Sequence, residues 1–357
     1  MEDVIKAIIS DGIQAPSGEN CQPWKFFVKD SVIELFLLPE RDQSLYSWGQ
    51  RASYMANGAM LENIEISANY HGYNAAISLF PDLRNIHLIA KIQLTKSSGN
   101  KKKIDLLYNY IRERSTNRRP YESYVLSSAE VSDIERCSDN LSKIKVHMLT
   151  DNMKLKILGA AGAVNEDVML SNEHLHNFFF SHVNWTKEED DKKKIGFFID
   201  TLELPPPAKI GFRILRSWRI TNILNMFGCH RLIGMQNANV NAKASGFGII
   251  TVDNMSAETF VKAGRVLQKV WLLITKQQLS LQPLTGILFF MHKIRARETE
   301  MFSSIQISKI ENAYNDIKNS FNLSNSDTIV FMFRVGKARK PTAQSVRFSV
   351  DDVVEFI

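Results

Sequence analysis

Cysteine is scarce in this chain of 357 residues, which has only Cys21, Cys137 and Cys229. An odd number with no CxxC spacing argues against a disulfide framework and against a thiolate zinc site, and it suits a reducing compartment. Long apolar runs are missing too. The nearest, Leu284 to Met291, is short and ends in His-Lys, far below the roughly 20 residues a bilayer-spanning helix needs. The start, MEDVIKAIIS, carries two acids and no long apolar core, so no secretory signal is expected. Nor does one sign of charge dominate. Lys and Arg number 44 against 38 Asp and Glu, a net +6 mixed along the chain, which gives no reason to expect nucleic-acid binding. There is no GxGxxG fingerprint, Ser/His/Asp set or pair of catalytic carboxylates, and His174 and His176 stand two apart, the wrong spacing for one helix face. What remains is a globular composition, 44% hydrophobic and 23% charged, long enough for one large or two modest cores. A cytoplasmic protein with a small-molecule partner, and neither a nucleic-acid nor a membrane partner, is expected.

Periodicity lays out the elements. Val4, Ile5, Ile8 and Ile9 share a helical face over residues 2–14, and apolar runs at 25–29 and 32–38 flank Asp30-Ser31 as a hairpin. A helix over 50–70 is closed by Gly72, strands follow at 73–80 and 86–94, and Lys96–Lys103 reads as a polar linker. Further helices are expected over 105–114, from Ser127 onward, and over 152–169, 257–278 and 307–321. Further strands are expected at 143–149, 248–252 and 328–335, and a last strand or helix at VDDVVEF. Residues 178–235 are the least regular part and read as an inserted, lid-like segment with its own helices, with a docking face for another protein as the alternative. A weak internal repeat relates Gly58-Ala59-Met60-Leu61 to Gly264-Arg265-Val266-Leu267, as in a symmetric dimer fused into one chain.

Two segments carry the chemistry. Ala15-Pro16-Ser17-Gly18-Glu19-Asn20-Cys21-Gln22-Pro23-Trp24-Lys25-Phe26 joins a helix to a strand. Its prolines fix a bend, and Ser and Asn offer donors and acceptors that suit the edge of a heterocycle. Arg114-Ser115-Thr116-Asn117-Arg118-Arg119-Pro120-Tyr121 gathers three guanidiniums and two hydroxyls. That content suits a phosphate, which Arg binds through bidentate, charge-assisted bonds; a solvated basic patch is the alternative.

The first segment resembles the flavin loop of the nitroreductase superfamily, APSxxNxQPWxF, with every fixed letter present. The second resembles that superfamily's Arg-x-Ser-x-Arg phosphate motif, with Thr116 in place of Ser, and is closer still to the RxTNRRP[FY] form of the Acg-like branch. Arg347 in SVRFSVDDVV, the turn LSLQPLTG and the segment GAMLENIEISANYHGY stand in matching contexts. The resemblance implies an α+β, nitroreductase-like fold of two similar halves, 1–103 and 104–357, fused into a pseudo-dimer whose central antiparallel sheets are flanked by helices. It implies an FMN site made by Pro16, Ser17, Asn20, Arg114, Thr116, Arg118, Gln282, Pro283, Leu284 and Arg347. In it, Ser17 and Asn20 read the pyrimidine edge, residues 282–284 lie near the ring edge, and the arginines hold the phosphate. No catalytic side chain and no metal are implied. The motif order is reversed relative to homodimeric relatives and each motif occurs once, which implies one FMN per chain in a monomer or weak homo-oligomer. The implied activity is FMN-dependent hydride transfer between flavin N5 and a small organic substrate, with NAD(P)H as a candidate reductant. A flavin-sequestering protein whose lid suppresses reductase activity is the alternative.

Overall fold

Trp24, Phe26, Ile33 and Leu35 alternate inward on two short strands, all essentially without solvent exposure, and each contributes about 1.5–3 kcal/mol by leaving water. Around them a computed structural model describes residues 1–97, 106–139, 141 and 143–357. Helix α1 (Glu2–Gly12) leads through the Pro16 bend into the hairpin β1 (Trp24–Lys29) and β2 (Val32–Leu37). Helix α2 (Arg51–Tyr70), β3 (Tyr73–Leu79) and β4 (Leu88–Lys96) follow. Helix α3 (Ser128–Glu135) starts on a reciprocal Ser127/Glu130 cap, and β5 (Ile144–Leu149), α4 (Asn152–Ser171) and α5 (Glu173–Ser181) come next.

Residues 178–235 are mostly helical. Between the short strands β6 (Val183–Asn184) and β7 (Phe197–Phe198) lies α6 (Lys187–Lys193); α7 (Pro206–Leu215), α8 (Trp218–Met226) and α9 (Cys229–Asn241) complete the segment. Strand β8 (Gly246–Val252), α10 (Ala257–Lys276), β9 (Ser280–Pro283), α11 (Gly286–Arg295), α12 (Ser304–Ser320) and β10 (Thr328–Gly336) lead to a short α13 (Val350–Val353) and β11 (Val354–Phe356).

The strands form two main sheets, ordered β11-β1-β2-β4-β3 and β5-β8-β10-β9, antiparallel except for the parallel β11–β1 pair. The two sheets and the central helices α2 and α10 share one hydrophobic core, with Ile64, Phe260 and Trp271 between them. Strand β8 is buried along its whole length. Its Ile250 and Val252 face that core, whereas Phe247 and Ile249 face a second one under α4, α11 and α12. The repeated glycines mark where the central helices touch. A Cβ on Gly58 would fall inside contact distance of the Val261 carbonyl oxygen, and one on Gly264 inside that of Met55.

Two expected elements differ. Residues 106–114 hold a single 3-10 turn at Tyr108–Tyr110 instead of a helix beginning at 105. Tyr108 stacks on Tyr70 at 3.6 Å and Ile111 packs on Ile66 and Leu272, so side-chain packing fixes a turn there. The segment expected as a turn at 279–285 contains a strand, because β9 pairs with β10, and a helix, α11, follows it. Residues 98–103 of the expected linker, and with them the expected boundary at 103/104, lie outside the described residues.

Candidate functional site

The arginine segment is held in place by strand-like bonds. Thr116 forms a parallel bridge with Leu281, and the Asn117 N–H donates to the Leu281 carbonyl at 3.0 Å. The Asn117 amide donates to Ser280 Oγ and to the Arg339 carbonyl, both at 2.9 Å. Beneath the segment sits Arg334, only 1% exposed. It stacks on the Tyr121 ring at 4.1 Å and donates to Gln282 Oε1 at 2.8 Å and to the Arg119 and Val240 carbonyls. The motif and the SLQPL strand, some 165 residues apart in sequence, therefore form one unit.

The Pro16 loop is bent by an unusual backbone. Glu19, Asn20 and Gln22 all have positive φ (51°, 55° and 48°), a region non-glycine residues occupy at a cost that surrounding bonds must offset. Here they do. Ser17 Oγ accepts from the Gln22 N–H at 3.0 Å. The Gln22 amide donates to the Lys194 carbonyl and accepts from the Phe348 N–H, tying the loop to the insert and to the C-terminal tail. Asn20 donates to the Lys194 and Val346 carbonyls, both at 2.9 Å, and its Oδ1 accepts from Arg347 at 2.6 Å. The Asn20 side chain is thus engaged within the protein, and its oxygen holds Arg347 at the cleft.

Arg114, Arg118 and Arg347 converge on one cleft of about 90 Å³, lined also by Pro16, Ser17, Asn20 and Thr116. Among the described residues none of the three is ion-paired, although neighbouring Arg112 and Arg119 are, to Asp11 and Glu203. Arg114 stacks on Trp271 at 4.6 Å and donates to the Gln14 carbonyl; Arg118 donates to the Thr201 carbonyl. The Nε groups of Arg114 and Arg347 are buried without a partner. Burial, and secondarily the charge of Arg347, pushes the Arg114 pKa down to about 9. Burial takes Arg118 and Arg347 to about 10, with Glu203 opposing it at Arg118. All three stay cationic at neutral pH, and a bound anion is the group that would relieve the strain of crowding them out of water.

The cleft opens into a cavity of about 300 Å³ with which it shares Pro16, Ser17, Thr116, Arg118 and Phe197, a size at the lower end of ligand sites. Gln282, Pro283 and Leu284 line this cavity, so all ten residues expected at the site border one of the two connected spaces. The Gln282 side-chain oxygen is engaged by Arg334.

The sequence reading missed the polar wall of the cavity: Glu19, Tyr46, Asn165 and Glu166. Burial raises Glu19 to about 8, against a hydrogen bond from Ser44, and raises Glu166 to about 7. Tyr46 is pushed well above its ordinary value by burial and then by the Glu19 and Glu166 charges. Asn165 Oδ1 and Glu166 Oε2 are buried and unpartnered. Cys21 is buried in the loop and its thiol is held well above the normal range by burial, which marks it as packing rather than a reactive thiol. His176 is fully buried with Nε2 2.7 Å from the Leu215 carbonyl, a core role. No cluster able to hold a metal ion occurs among the described residues.

No family model matches the chain. It is 25% identical over 186 residues to "Putative NAD(P)H nitroreductase acg" of Mycobacterium tuberculosis, covering 50% of this chain and 53% of that protein. It is 24% identical over 287 residues to "Uncharacterized protein MT1398" of the same species, covering 78% of this chain and 38% of that one. The chain therefore spans about half or less of the length of these curated relatives. Among solved structures, the FMN and NADPH-dependent nitroreductase NfnB from Sphigopyxis sp. strain HMH aligns with a TM-score of 0.41 and 12% identity, over 70% of this chain and 98% of that one. The APSGENCQPWKF and RSTNRRPY segments are brought together in space, in a chain similar to proteins named as NAD(P)H nitroreductases, acg among them.

Proposed function

We propose that the chain is an FMN-dependent oxidoreductase acting on a small organic molecule. In this reading the phosphate lies among Arg114, Arg118 and Arg347, the ring system occupies the adjoining cavity, and two nitroreductase-like halves, 1–103 and 104–357, contribute to a single site. The observation that carries the reading is the convergence of three guanidiniums without ion pairs among the described residues, Arg114 buried and Arg118 and Arg347 half-buried, from two distant segments on a cleft continuous with a ligand-sized cavity. FMN, when bound, supplies two-electron chemistry with hydride exchange at N5. The chain's own residues do the rest. Arg114 and Arg118 neutralise the phosphate, Thr116 and Ser17 add hydroxyls beside it, and Asn20 orients Arg347. The backbone at Gln282, Pro283 and Leu284 borders the ring edge, and Phe179 and Phe197 of the insert help exclude water from the cavity.

The purified protein is expected to be yellow and to release FMN on denaturation. Arg114→Ala combined with Arg118→Ala should lower FMN affinity at least about a hundredfold, each substitution removing charge-assisted bonds. Full occupancy in the double variant would refute the phosphate assignment. NADH or NADPH added anaerobically tests the reductant, because either one bleaches the visible band if it delivers hydride. A second reading, flavin sequestration beneath a closed insert, is favoured by the bonds from Asn20 and Gln22 to Lys194 and from the Gly196 N–H to the Glu19 carbonyl, which hold the insert against the loop. Under that reading the protein is yellow and neither nucleotide bleaches it.

A further inference from the structure

We infer that the outward faces of α7, α8 and α9 form a docking surface for an anionic lipid bilayer. Each of these consecutive, mutually packed helices has one face toward the protein and one toward solvent. On α7 the solvent face carries Ile210 and Ile214, one helical turn apart, with Leu215 buried behind them. On α8 it carries Ile220, Ile223 and Met226, with Thr221 buried behind. The corner after α8 presents Phe227, 84% exposed, beside Met226 at 79%, and α9 adds Leu232 and Met235. Exposed apolar side chains gathered this closely mark an interaction surface rather than ordinary scatter.

Charge identifies the partner. Between residues 204 and 252 there is no Asp or Glu, whereas Lys209, Arg213, Arg216, Arg219, Arg231 and Lys243 fall within the same stretch. Lys209 is ion-paired with Asp200, and among the described residues the other five have no ion pair. Arg213, Arg216, Arg219 and Arg231 are exposed and interleave with the apolar tips on the same helices. A second copy meeting this face through a two-fold axis would set arginine against arginine. A bilayer with anionic headgroups accepts both kinds of group at once: apolar tips enter the acyl boundary while guanidiniums reach up to the phosphates. No described helix is long and apolar enough to cross a membrane, so the contact is confined to the surface. The expectation of no membrane partner rested on run length and the start of the chain, which bear on spanning and secretion and not on surface binding. The inference stands apart from the cofactor reading and does not need it.

Co-sedimentation of the full chain with vesicles tests it. The protein should pellet with equimolar phosphatidylcholine–phosphatidylglycerol vesicles, stay in solution with phosphatidylcholine alone, and dissociate as salt is raised. Arg213→Glu with Arg219→Glu should lower the partition coefficient at least about tenfold, since each arginine near such a surface is worth about fivefold. Met226→Ser with Phe227→Ser should also release the protein, and the far-UV circular dichroism of both variants should be unchanged because all four side chains are exposed. Three results would overturn the inference: no pelleting with anionic vesicles at low salt, equal pelleting with neutral ones, or a dimer that Phe227→Ser splits.

Discussion

Glu166 sits in the cavity wall with Oε2 unpartnered and only a long 3.4 Å bond from Asn165 to Oε1. Burial holds its pKa near about 7, against 4.5 for an ordinary glutamate. Between those values the folded chain keeps a proton that the unfolded chain has lost, so folding stability falls as pH rises through this window and levels off above it. Glu19 contributes with the same sign up to about 8. Glu166→Gln should therefore be more stable than the parent by roughly 1–3 kcal/mol near pH 8 and indistinguishable from it near pH 4. Urea titrations at the two pH values would check this; an equal difference at both would mean that the carboxyl is not held protonated by burial. At this scale the arginines and the loop residues expected together do line the connected cleft and cavity, and they could be picked out because guanidinium, hydroxyl and amide chemistry is written in residue type. Glu19 and Glu166 were not, because a carboxylate on a loop or helix has no signature until the fold removes it from water. The protein partners of Asn20, namely Lys194, Val346 and Arg347, were not legible, because they come from more than 170 positions away.

Among the elements, α2 and α10 are brought closest at Gly58 and Gly264, each backed by a carbonyl of the other helix. Alanine is intrinsically better in a helix by about 1 kcal/mol, yet here its methyl would meet backbone that cannot rotate away. Gly58→Ala or Gly264→Ala is expected to destabilise the chain by roughly 1–3 kcal/mol, the usual cost of overpacking, seen as a lowered Tm. A rise in Tm would show that the helices can separate freely. The repeat around these glycines was visible in sequence because close helix packing selects a small residue. The failures also have local causes. Over 105–114 a helix was expected, but Thr116 and Asn117 bond outward to strand β9 and Tyr108 packs on Tyr70, so residues 106–114 turn instead. The insert looked irregular because its helices are short, from 7 residues in α6 to 13 in α9, and are broken by the triple proline and the corner at Phe227-Gly228.

For the molecule as a whole, the count of sites follows from what is not repeated. The APSxxN loop and the RxTNRR segment each occur once, and Gly159–Asn165, where a second loop would fall, is the interior of helix α4. One FMN per chain is expected, measured as the ratio of released flavin to protein; a ratio near two would disprove the single-site reading. The antiparallel sheets were expected from the resemblance, but the return of β11 to pair with β1 was not, since parallel pairing of distant short strands leaves no trace in local pattern.

That returning strand also sets an order of events. Arg347 lies on the segment between β10 and β11, so its guanidinium reaches the cleft only after the tail has left the second sheet and joined the first. A nascent polypeptide emerging from the ribosome carries two of the three arginines long before the third, and must complete this final clasp before all three line the cleft.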